Sequence, residues 1–179
     1  MIPPSMQSFL GWMDDHEARV PLAELVEALR RLKVTYDDVR HVARFSHERY
    51  QRNLLHAGPG YHALILCWRN GQRSPIHDHR GSSCGVRVIL GDATETTFDR
   101  APNGLYIPLR TRTLHEGEVC GSQDSDVHQV SNLQPAGKDL VTLHVYSPPL
   151  LNMRTYSLTD SSVAEYDDPV FELVDGGGI

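Results

Sequence analysis

The sequence has few cysteines, a small excess of acidic over basic residues and no long apolar run. Its three cysteines, Cys67, Cys84 and Cys120, are an odd number, which argues against a disulfide framework and for a reducing compartment. Seventeen basic residues stand against 23 acidic ones, without a Lys/Arg cluster, so we expect neither nucleic acid nor a membrane as a partner. The sequence also lacks a signal-peptide pattern and any run near the roughly 18 apolar residues of a transmembrane helix. These absences predict a cytoplasmic protein.

The length of 179 residues suits one domain, and the character of the sequence divides it into three parts. Residues 1–45 have helical patterns, and residues 46–160 alternate short β-branched and aromatic runs with turn residues. Residues 161–179 are predicted to form an acidic tail. No internal repeat, low-complexity segment or glycine-rich nucleotide-binding pattern accompanies them. We therefore expect a single domain, 1–179, that is mainly β with a small helical segment at its N-terminus.

Local patterns predict the individual elements. An apolar stripe with helical spacing runs from Leu22 to Leu32, and Thr35 is a suitable N-cap for a second helix over residues 36–45. Many short strands between turn signals are typical of an antiparallel sandwich or barrel. The predicted strands cover residues 62–69, 74–79, 84–90, 95–100, 106–113, 128–130, 140–146 and 154–158.

A pair of histidines, His77 and His79, is the strongest sign of chemistry. Alternate residues of a strand point to the same face, so both imidazoles can reach one metal ion while Asp78 faces away. The candidate third ligand is His128. Three neutral imidazoles leave the charge of a divalent metal uncompensated, which favours an anionic co-ligand such as a substrate thiolate. Zinc also accepts three histidines and a water, so the ligands alone leave hydrolysis and oxygen chemistry both open.

The spacing around these histidines resembles the two motifs of the cupin superfamily. The residues that match are Gly71, His77, His79, Gly91, Gly117, His128 and Asn132. Cys84 stands where the first motif usually has a glutamate ligand, and the second motif lacks its proline and second glycine. The resemblance implies a cupin-type double-sheet β-barrel with the metal inside.

Further blocks between residues 49 and 149 resemble cysteine dioxygenase, the thiol dioxygenase branch of the cupins. The most specific are His77-Asp-His79 and Leu143-His-Val-Tyr-Ser-Pro-Pro149. The resemblance implies Fe(II) as the cofactor, held by the three histidines, and oxidation of L-cysteine by O2 to cysteine sulfinic acid. It also implies a monomer whose partners are a small-molecule thiol and O2.

The resemblance assigns the substrate-binding residues to one block, Tyr50-Gln-Arg52-Asn-Leu54. Arg52 matches the arginine that pairs with the substrate carboxylate, and Tyr50 stands beside it. A guanidinium offers two parallel donors to two carboxylate oxygens, which suits that role.

The resemblance places the remaining catalytic residues on the last strand and opposite it. Thr142, His144 and Tyr146 match a hydrogen-bonded chain, with Thr in place of the usual Ser, and alternation puts all three on one face. Cys84 matches the cysteine that forms a thioether with this tyrosine in animal-type enzymes. The Ser147-Pro148 bond matches a cis-proline position.

Three alternatives remain open at this point. The first is 3-mercaptopropionate dioxygenase, in which Gln tends to replace Arg52 and Gly replaces Cys84. Gln51 adjoins Arg52, so a shift of one residue exchanges the two interpretations. The second is a non-enzymatic cupin with a structural metal. The third is a zinc or nickel hydrolase or isomerase.

Overall fold

The computed structural model describes residues 3–167 and 169–170. Three helices come first in the chain and ten strands follow. The helices are α1 (Pro4–Asp14), α2 (Leu22–Arg31) and α3 (Tyr36–Val39). The strands are β1 (Gln51–Gly58), β2 (Tyr61–Trp68), β3 (Ser83–Leu90), β4 (Ala93–Arg100), β5 (Tyr106–Leu114), β6 (Val119–Gln123), β7 (Val127–Ser131), β8 (Leu140–Ser147), β9 (Met153–Tyr156) and β10 (Val163–Tyr166).

The strands form two main antiparallel sheets and a small hairpin. The larger sheet has the order β1-β2-β8-β3-β6, the smaller has β5-β4-β7, and β9 pairs with β10. β8 lies in the middle of the larger sheet and is buried along its whole length. The fold is therefore mainly β with a small N-terminal helical part, as the sequence predicts.

The larger sheet is buried on both faces, because each face covers a separate core. On one face, Leu143 and Val145 of β8 pack with residues of the three helices, such as Leu25 and Leu29. On the other face, alternate residues of β2, β3 and β8 pack against Ala93, Leu114 and Val130 of the smaller sheet. The second core, between the two sheets, holds the candidate site.

Two glycines let helix α2 lie close to the larger sheet. Gly85 of β3 and Gly121 of β6 are directly opposite each other in the ladder. A Cβ atom on Gly85 would lie 2.4 Å from Leu29 Cδ1, and one on Gly121 would lie 2.5 Å from Val26 Cγ2. Both distances are too short for real atoms, so a larger residue at either position would push the helix outward.

Several predicted elements differ from the structure. The helix predicted over residues 36–45 begins at its predicted N-cap, Thr35, but ends at Val39. Residues 74–79 do not form a strand: the backbone makes only isolated bridges, including His77 with His128 and with Thr155. Pro75 explains part of this, because proline has no N–H to donate to a ladder.

Three strands are missing from the prediction. β1 and β6 were not expected, and β10 lies within residues 161–179, which were assigned to an acidic tail. The sequence of β6, Val-Cys-Gly-Ser-Gln, contains only one β-branched residue, so its strand signal is weak. The rest of the predicted tail, residue 168 and residues 171–179, lies outside the described residues.

Two further features bear on the expectations above. The Ser147-Pro148 peptide bond, whose isomer the sequence left open, is cis. Among the described residues, no helix has the length and apolar character needed to cross a membrane.

Candidate metal centre

His77, His79 and His128 meet between the two sheets. One ring nitrogen from each lies within 4.8 Å of the others, and all three side chains are buried. His128 belongs to β7, whereas His77 and His79 lie in the irregular segment before β3. Two reciprocal backbone hydrogen bonds of 3.0 Å join His77 to His128 and bring the two parts of the site together.

Hydrogen bonds orient two of the three rings. His77 Nδ1 is 3.0 Å from the Pro75 carbonyl oxygen, and His128 Nδ1 is 2.9 Å from Glu95 Oε1. Both nitrogens therefore act as donors, which leaves the Nε2 lone pair of each ring available. In the third ring, His79 Nε2 is 3.4 Å from Ser122 Oγ, while the buried Nδ1 has no hydrogen-bond partner among the described residues.

Burial disfavours the charged form of two of the three imidazoles. It lowers the pKa of His77 to about 3, helped by the nearby His128, and it lowers the pKa of His79 far below the ordinary value. Among the described residues, no acidic side chain joins the three nitrogens. Three buried imidazoles whose ring nitrogens converge make a donor set that fits a divalent transition metal.

Asp78 faces away from the other two side chains, as expected, but it is fully buried. Its carboxylate accepts hydrogen bonds from Arg154 Nε at 2.7 Å, from the Arg154 backbone N–H at 3.2 Å and from the Tyr156 hydroxyl at 2.8 Å. These contacts tie the ligand segment to β9. The sequence did not reveal them.

A hydrogen-bonded chain runs along one face of β8 next to the histidines. Trp68 Nε1 donates to Thr142 Oγ1 at 3.0 Å, Thr142 Oγ1 is 3.0 Å from His144 Nε2, and His144 Nδ1 is 3.1 Å from Tyr146 Oη. All four side chains are buried, and burial lowers the pKa of His144 well below its ordinary value. The alternation expected for Thr142, His144 and Tyr146 is thus present, with Trp68 as an additional member.

A narrow cavity lies beside the metal centre. Its free space is far below the roughly 300–1,000 Å³ typical of drug-sized ligand sites, so it has room only for a very small molecule. Its lining residues are Tyr50, Arg52, Leu66, Trp68, Ser74, His77, Val130, His144, Tyr146 and Met153.

Arg52 supplies a positive charge to this cavity. The residue is buried on β1, donates to the Leu150 carbonyl at 3.3 Å and holds its guanidinium carbon 5.5 Å from the centre of the Tyr146 ring. Tyr50 stacks on Trp68 with ring centroids 4.2 Å apart. The sequence left open whether Gln51 or Arg52 stands at the position that would contact the substrate. Arg52 lines the cavity and Gln51 does not.

Cys84 lies directly opposite Tyr146 in the ladder between β3 and β8. Residues in this relation have Cβ atoms about 4.5–5.5 Å apart. The thiol is buried, and burial raises its pKa well above the ordinary value. All three cysteines are free and buried.

Sequence reasoning missed the two charged residues behind His128. Glu95 of β4 accepts the Nδ1–H of His128, and its other carboxylate oxygen pairs with Arg112 of β5 at 2.6 Å. Burial raises the pKa of Glu95, but the hydrogen bonds and charges of His128 and Arg112 outweigh it and lower that pKa to about 2. The only sign of this contact in the sequence was Glu95 itself, an acidic residue at an inward-facing position of the threonine-rich strand β4.

Comparisons with known proteins agree with this geometry. The family model for cysteine dioxygenase type I matches residues 16–159. A cysteine dioxygenase type 1 from Danio rerio is 36% identical over 143 residues, which cover 73% of this chain and 69% of the relative. The rat protein of the same name is 40% identical over 114 residues, which cover 60% of this chain. The chain spans about half the length of the mammalian relatives, 55% for the rat protein.

Solved structures support the fold alone. A protein from Thermus thermophilus superposes with a TM-score of 0.53 at 17% identity, over 63% of this chain and 95% of that one. A Klebsiella pneumoniae protein with a double-stranded β-helix domain gives the same TM-score at 16% identity, over 73% and 89% of the two chains. Both likenesses fit a cupin-type barrel.

Proposed function

This chain belongs to the cysteine dioxygenase family, and from that premise we propose that it is an Fe(II)-dependent enzyme that oxidises L-cysteine with O2 to cysteine sulfinic acid. The observation that carries the proposal is the placement of three buried, converging imidazoles beside a small cavity that a buried arginine also lines. His77, His79 and His128 would hold the iron. When bound, Fe(II) supplies the site at which a thiolate sulfur and O2 react.

Arg52 would bind and orient the substrate carboxylate. The guanidinium is held in the cavity that His77 and Tyr146 also line, so a small amino acid bound to it reaches the metal centre. An ion pair formed in such a buried place holds the substrate in one orientation, which raises the rate by proximity. Tyr50 and Trp68 form the stacked wall beside it.

Tyr146 would donate a hydrogen bond to the reacting groups. Trp68 Nε1 can only donate, so the Thr142 hydroxyl accepts from it and donates to His144 Nε2. A neutral His144 then carries its proton on Nδ1 and donates it to Tyr146 Oη. The phenolic oxygen thus accepts from His144, and Tyr146 itself lines the cavity in which the substrate would bind.

We further propose a thioether between Cys84 and Tyr146. The support is their directly opposed position on neighbouring strands. Forming the bond replaces the S–H and one ring C–H, a two-electron oxidation for which O2 is the oxidant. A denaturing gel of the Fe(II)-treated protein should show a faster band that disappears in Cys84→Ser and in Tyr146→Phe. A single unchanged band in the wild-type protein after aerobic turnover would exclude the crosslink.

The proposal includes a monomer in the cytoplasm. Three buried cysteines without a disulfide suit a reducing compartment. Sedimentation of the purified protein at several concentrations tests the monomer.

The main test measures O2 uptake and metal content together, with three thiols. L-cysteine carries both an amine and a carboxylate, 3-mercaptopropionate lacks the amine, and cysteamine lacks the carboxylate. With L-cysteine we expect one cysteine sulfinic acid for each O2 consumed, at a rate proportional to the bound iron. With cysteamine we expect little O2 uptake, because it has no carboxylate to pair with Arg52. Preference for cysteamine, or activity that follows zinc content, would contradict the proposal.

Arg52→Ala tests the substrate contact separately. Losing the partner of a buried carboxylate costs roughly 3–5 kcal/mol, which is about two to four decades in kcat/KM for L-cysteine. Arg52→Lys keeps the charge but loses the two-donor geometry and should recover only part of the rate. Arg110→Ala, an exposed arginine of β5, is the control and should leave kcat/KM unchanged.

A further inference from the structure

Glu95 and Arg112 form an ion pair that extends from the solvent-exposed surface to the metal centre. Glu95 is 2% exposed, whereas the Arg112 side chain is 38% exposed. Glu95 Oε1 is 2.9 Å from His128 Nδ1, and Glu95 Oε2 accepts from Arg112 Nε at 2.7 Å and Nη2 at 2.6 Å. Each carboxylate oxygen therefore has its own partner, one toward the metal centre and one toward solvent.

Sheet register fixes this arrangement. Glu95 lies directly opposite Arg112 on one side and Val130 on the other, and His128 is the diagonal neighbour of Glu95 on β7. Opposed and diagonal side chains on one face are within reach of each other. The contact therefore depends on three paired strands and does not need a flexible loop.

A carboxylate at Nδ1 changes how His128 binds a metal. It fixes the tautomer with the proton on Nδ1, holds the ring in one orientation and increases the electron density that Nε2 can donate. Of the two rings oriented by hydrogen bonds at Nδ1, only that of His128 donates to a charged group. His77 Nδ1 donates to the neutral Pro75 carbonyl. The three ligands are thus electronically unequal.

We propose that Glu95 is a positioning residue that strengthens metal binding through His128, and that Arg112 opposes this effect by partly neutralising the carboxylate. The inference rests on the metal centre of the proposed function. It predicts that removing the two charges shifts metal affinity in opposite directions. A purely structural role predicts weaker binding in both cases, because either change breaks the same ion pair.

Arg112 can be changed without touching the substrate cavity. It lines a separate cleft of about 830 Å³ with Glu95, Thr97, Leu109 and His128. No residue of that cleft lines the cavity beside Arg52. Effects of Arg112 variants on the metal are therefore separate from effects on substrate binding.

The test titrates metal-free protein with Co(II), with and without a competing chelator, at one pH and about 0.15 M salt. The readouts are the dissociation constant and the visible ligand-field absorption of bound Co(II). We expect Glu95→Gln, which keeps the shape but loses the charge, to weaken Co(II) binding roughly 10–100-fold and to shift the absorption bands. We expect Arg112→Met to tighten binding about threefold or more, since a positive charge within a screening length is removed.

Two controls and a combined variant make the result specific. Arg100→Met removes the same charge from an exposed position at the far end of β4 and should leave the dissociation constant unchanged, and Arg112→Lys should resemble the wild type. In the presence of Glu95→Gln, the effect of Arg112→Met should shrink if Arg112 acts through the carboxylate. If Glu95→Gln does not fold, the tightening by Arg112→Met still carries the test.

The inference is overturned if Glu95→Gln and Arg112→Met both weaken binding, or if Arg112→Met and Arg100→Met behave alike. A different failure concerns the proposed function itself. If the wild-type protein binds no Co(II), or binds it equally well as His77→Ala, the metal centre is absent and both proposals fall. Normal wild-type binding with unaffected Glu95 and Arg112 variants refutes only the inference.

Discussion

Two segments of the protein present side chains two residues apart to the same centre, and they are held in different ways. On β8, Thr142, His144 and Tyr146 share a face because β2 and β3 pair with the strand on both sides. His77 and His79 have no such ladder. Isolated backbone hydrogen bonds fix the residues of their segment: a reciprocal pair between His77 and His128, one from Asp78 to Arg154 and one from His79 to Asp124.

The difference shows what the buried Asp78 does. In β8 the backbone alone enforces alternation, so the side chains are free to serve the site. In the ligand segment the Asp78 carboxylate supplies what the ladder does not, by anchoring to Arg154 and Tyr156 of β9. The metal ligands thus depend on side-chain contacts, whereas the hydrogen-bonded chain depends on backbone pairing.

Asp78→Ala should have the largest effect on stability and metal binding, because it removes the side chain that anchors the ligand segment. It removes three hydrogen bonds to a fully buried carboxylate, while Arg154, 43% exposed, can be rehydrated. We expect the free energy of unfolding to fall by about 2–4 kcal/mol and divalent metal binding to weaken in parallel. Urea unfolding of the metal-free protein and a metal titration measure the two effects.

Asp99→Ala, at an exposed position of β4, is the matched control and should change neither quantity. If Asp78→Ala lowers stability but leaves metal affinity intact, Asp78 does not position the ligand segment. If it changes neither, the ligand segment is held by its backbone hydrogen bonds alone.

The same contrast explains how far the sequence predicted the site. The β8 face was predictable because alternation in a long apolar strand fixes which side chains share a face. For His77 and His79 the convergence was right but its reason was wrong, since residues 74–79 form no strand. The histidines converge because Asp78 and the pairing with His128 replace the ladder.

Contacts between distant parts of the chain could not be predicted. Asp78 lies 76 residues from Arg154, and Glu95 lies 33 residues from His128. No local pattern reports such a pairing, because it depends on sheet order and register. The missed strands β1 and β6 show the same limit, since tertiary pairing stabilises segments whose own signal is weak.

Low pH should destabilise both segments, because each contains an imidazole whose pKa is lowered by burial. Burial lowers the pKa of His77 to about 3 and that of His144 well below its ordinary value. Below about pH 6.5 the unfolded chain binds protons that the folded chain does not, so stability is complete above that pH and is lost as pH falls toward 3. Each such group therefore destabilises the metal-free protein progressively as the pH falls below about 6.5.

His144→Gln tests this without touching a metal ligand. It removes one buried imidazole, so the unfolding free energy of the variant should fall less steeply between pH 6 and 5 than that of the wild type. Urea unfolding at pH 5, 6, 7 and 8 gives the slope for each protein. His115→Gln, at an exposed site, is the control. Equal slopes for wild type and His144→Gln would mean that His144 is protonated in the folded protein.

The smallest effect should come from Thr142, the hydroxyl in the middle of the β8 chain. Thr142→Val keeps the shape but leaves the Trp68 N–H and His144 Nε2 without their shared partner, which should cost about 1–2 kcal/mol of stability. Because the Thr142 hydroxyl sets the direction of the chain, kcat for L-cysteine should also fall roughly tenfold. Thr142→Ser retains the hydroxyl and should lose only about 1 kcal/mol for the missing methyl group, with kcat preserved.

The two variants separate packing from hydrogen bonding. If the chain orients the Tyr146 hydroxyl, kcat follows the hydroxyl of residue 142 and not its volume. Stopped-flow O2 consumption and urea unfolding of both variants measure the two quantities. Equal kcat values for Thr142→Val and the wild type would show that His144 still donates to Tyr146 without the Thr142 hydroxyl. Backbone pairing of β8 would then be sufficient to hold His144 and Tyr146 in place.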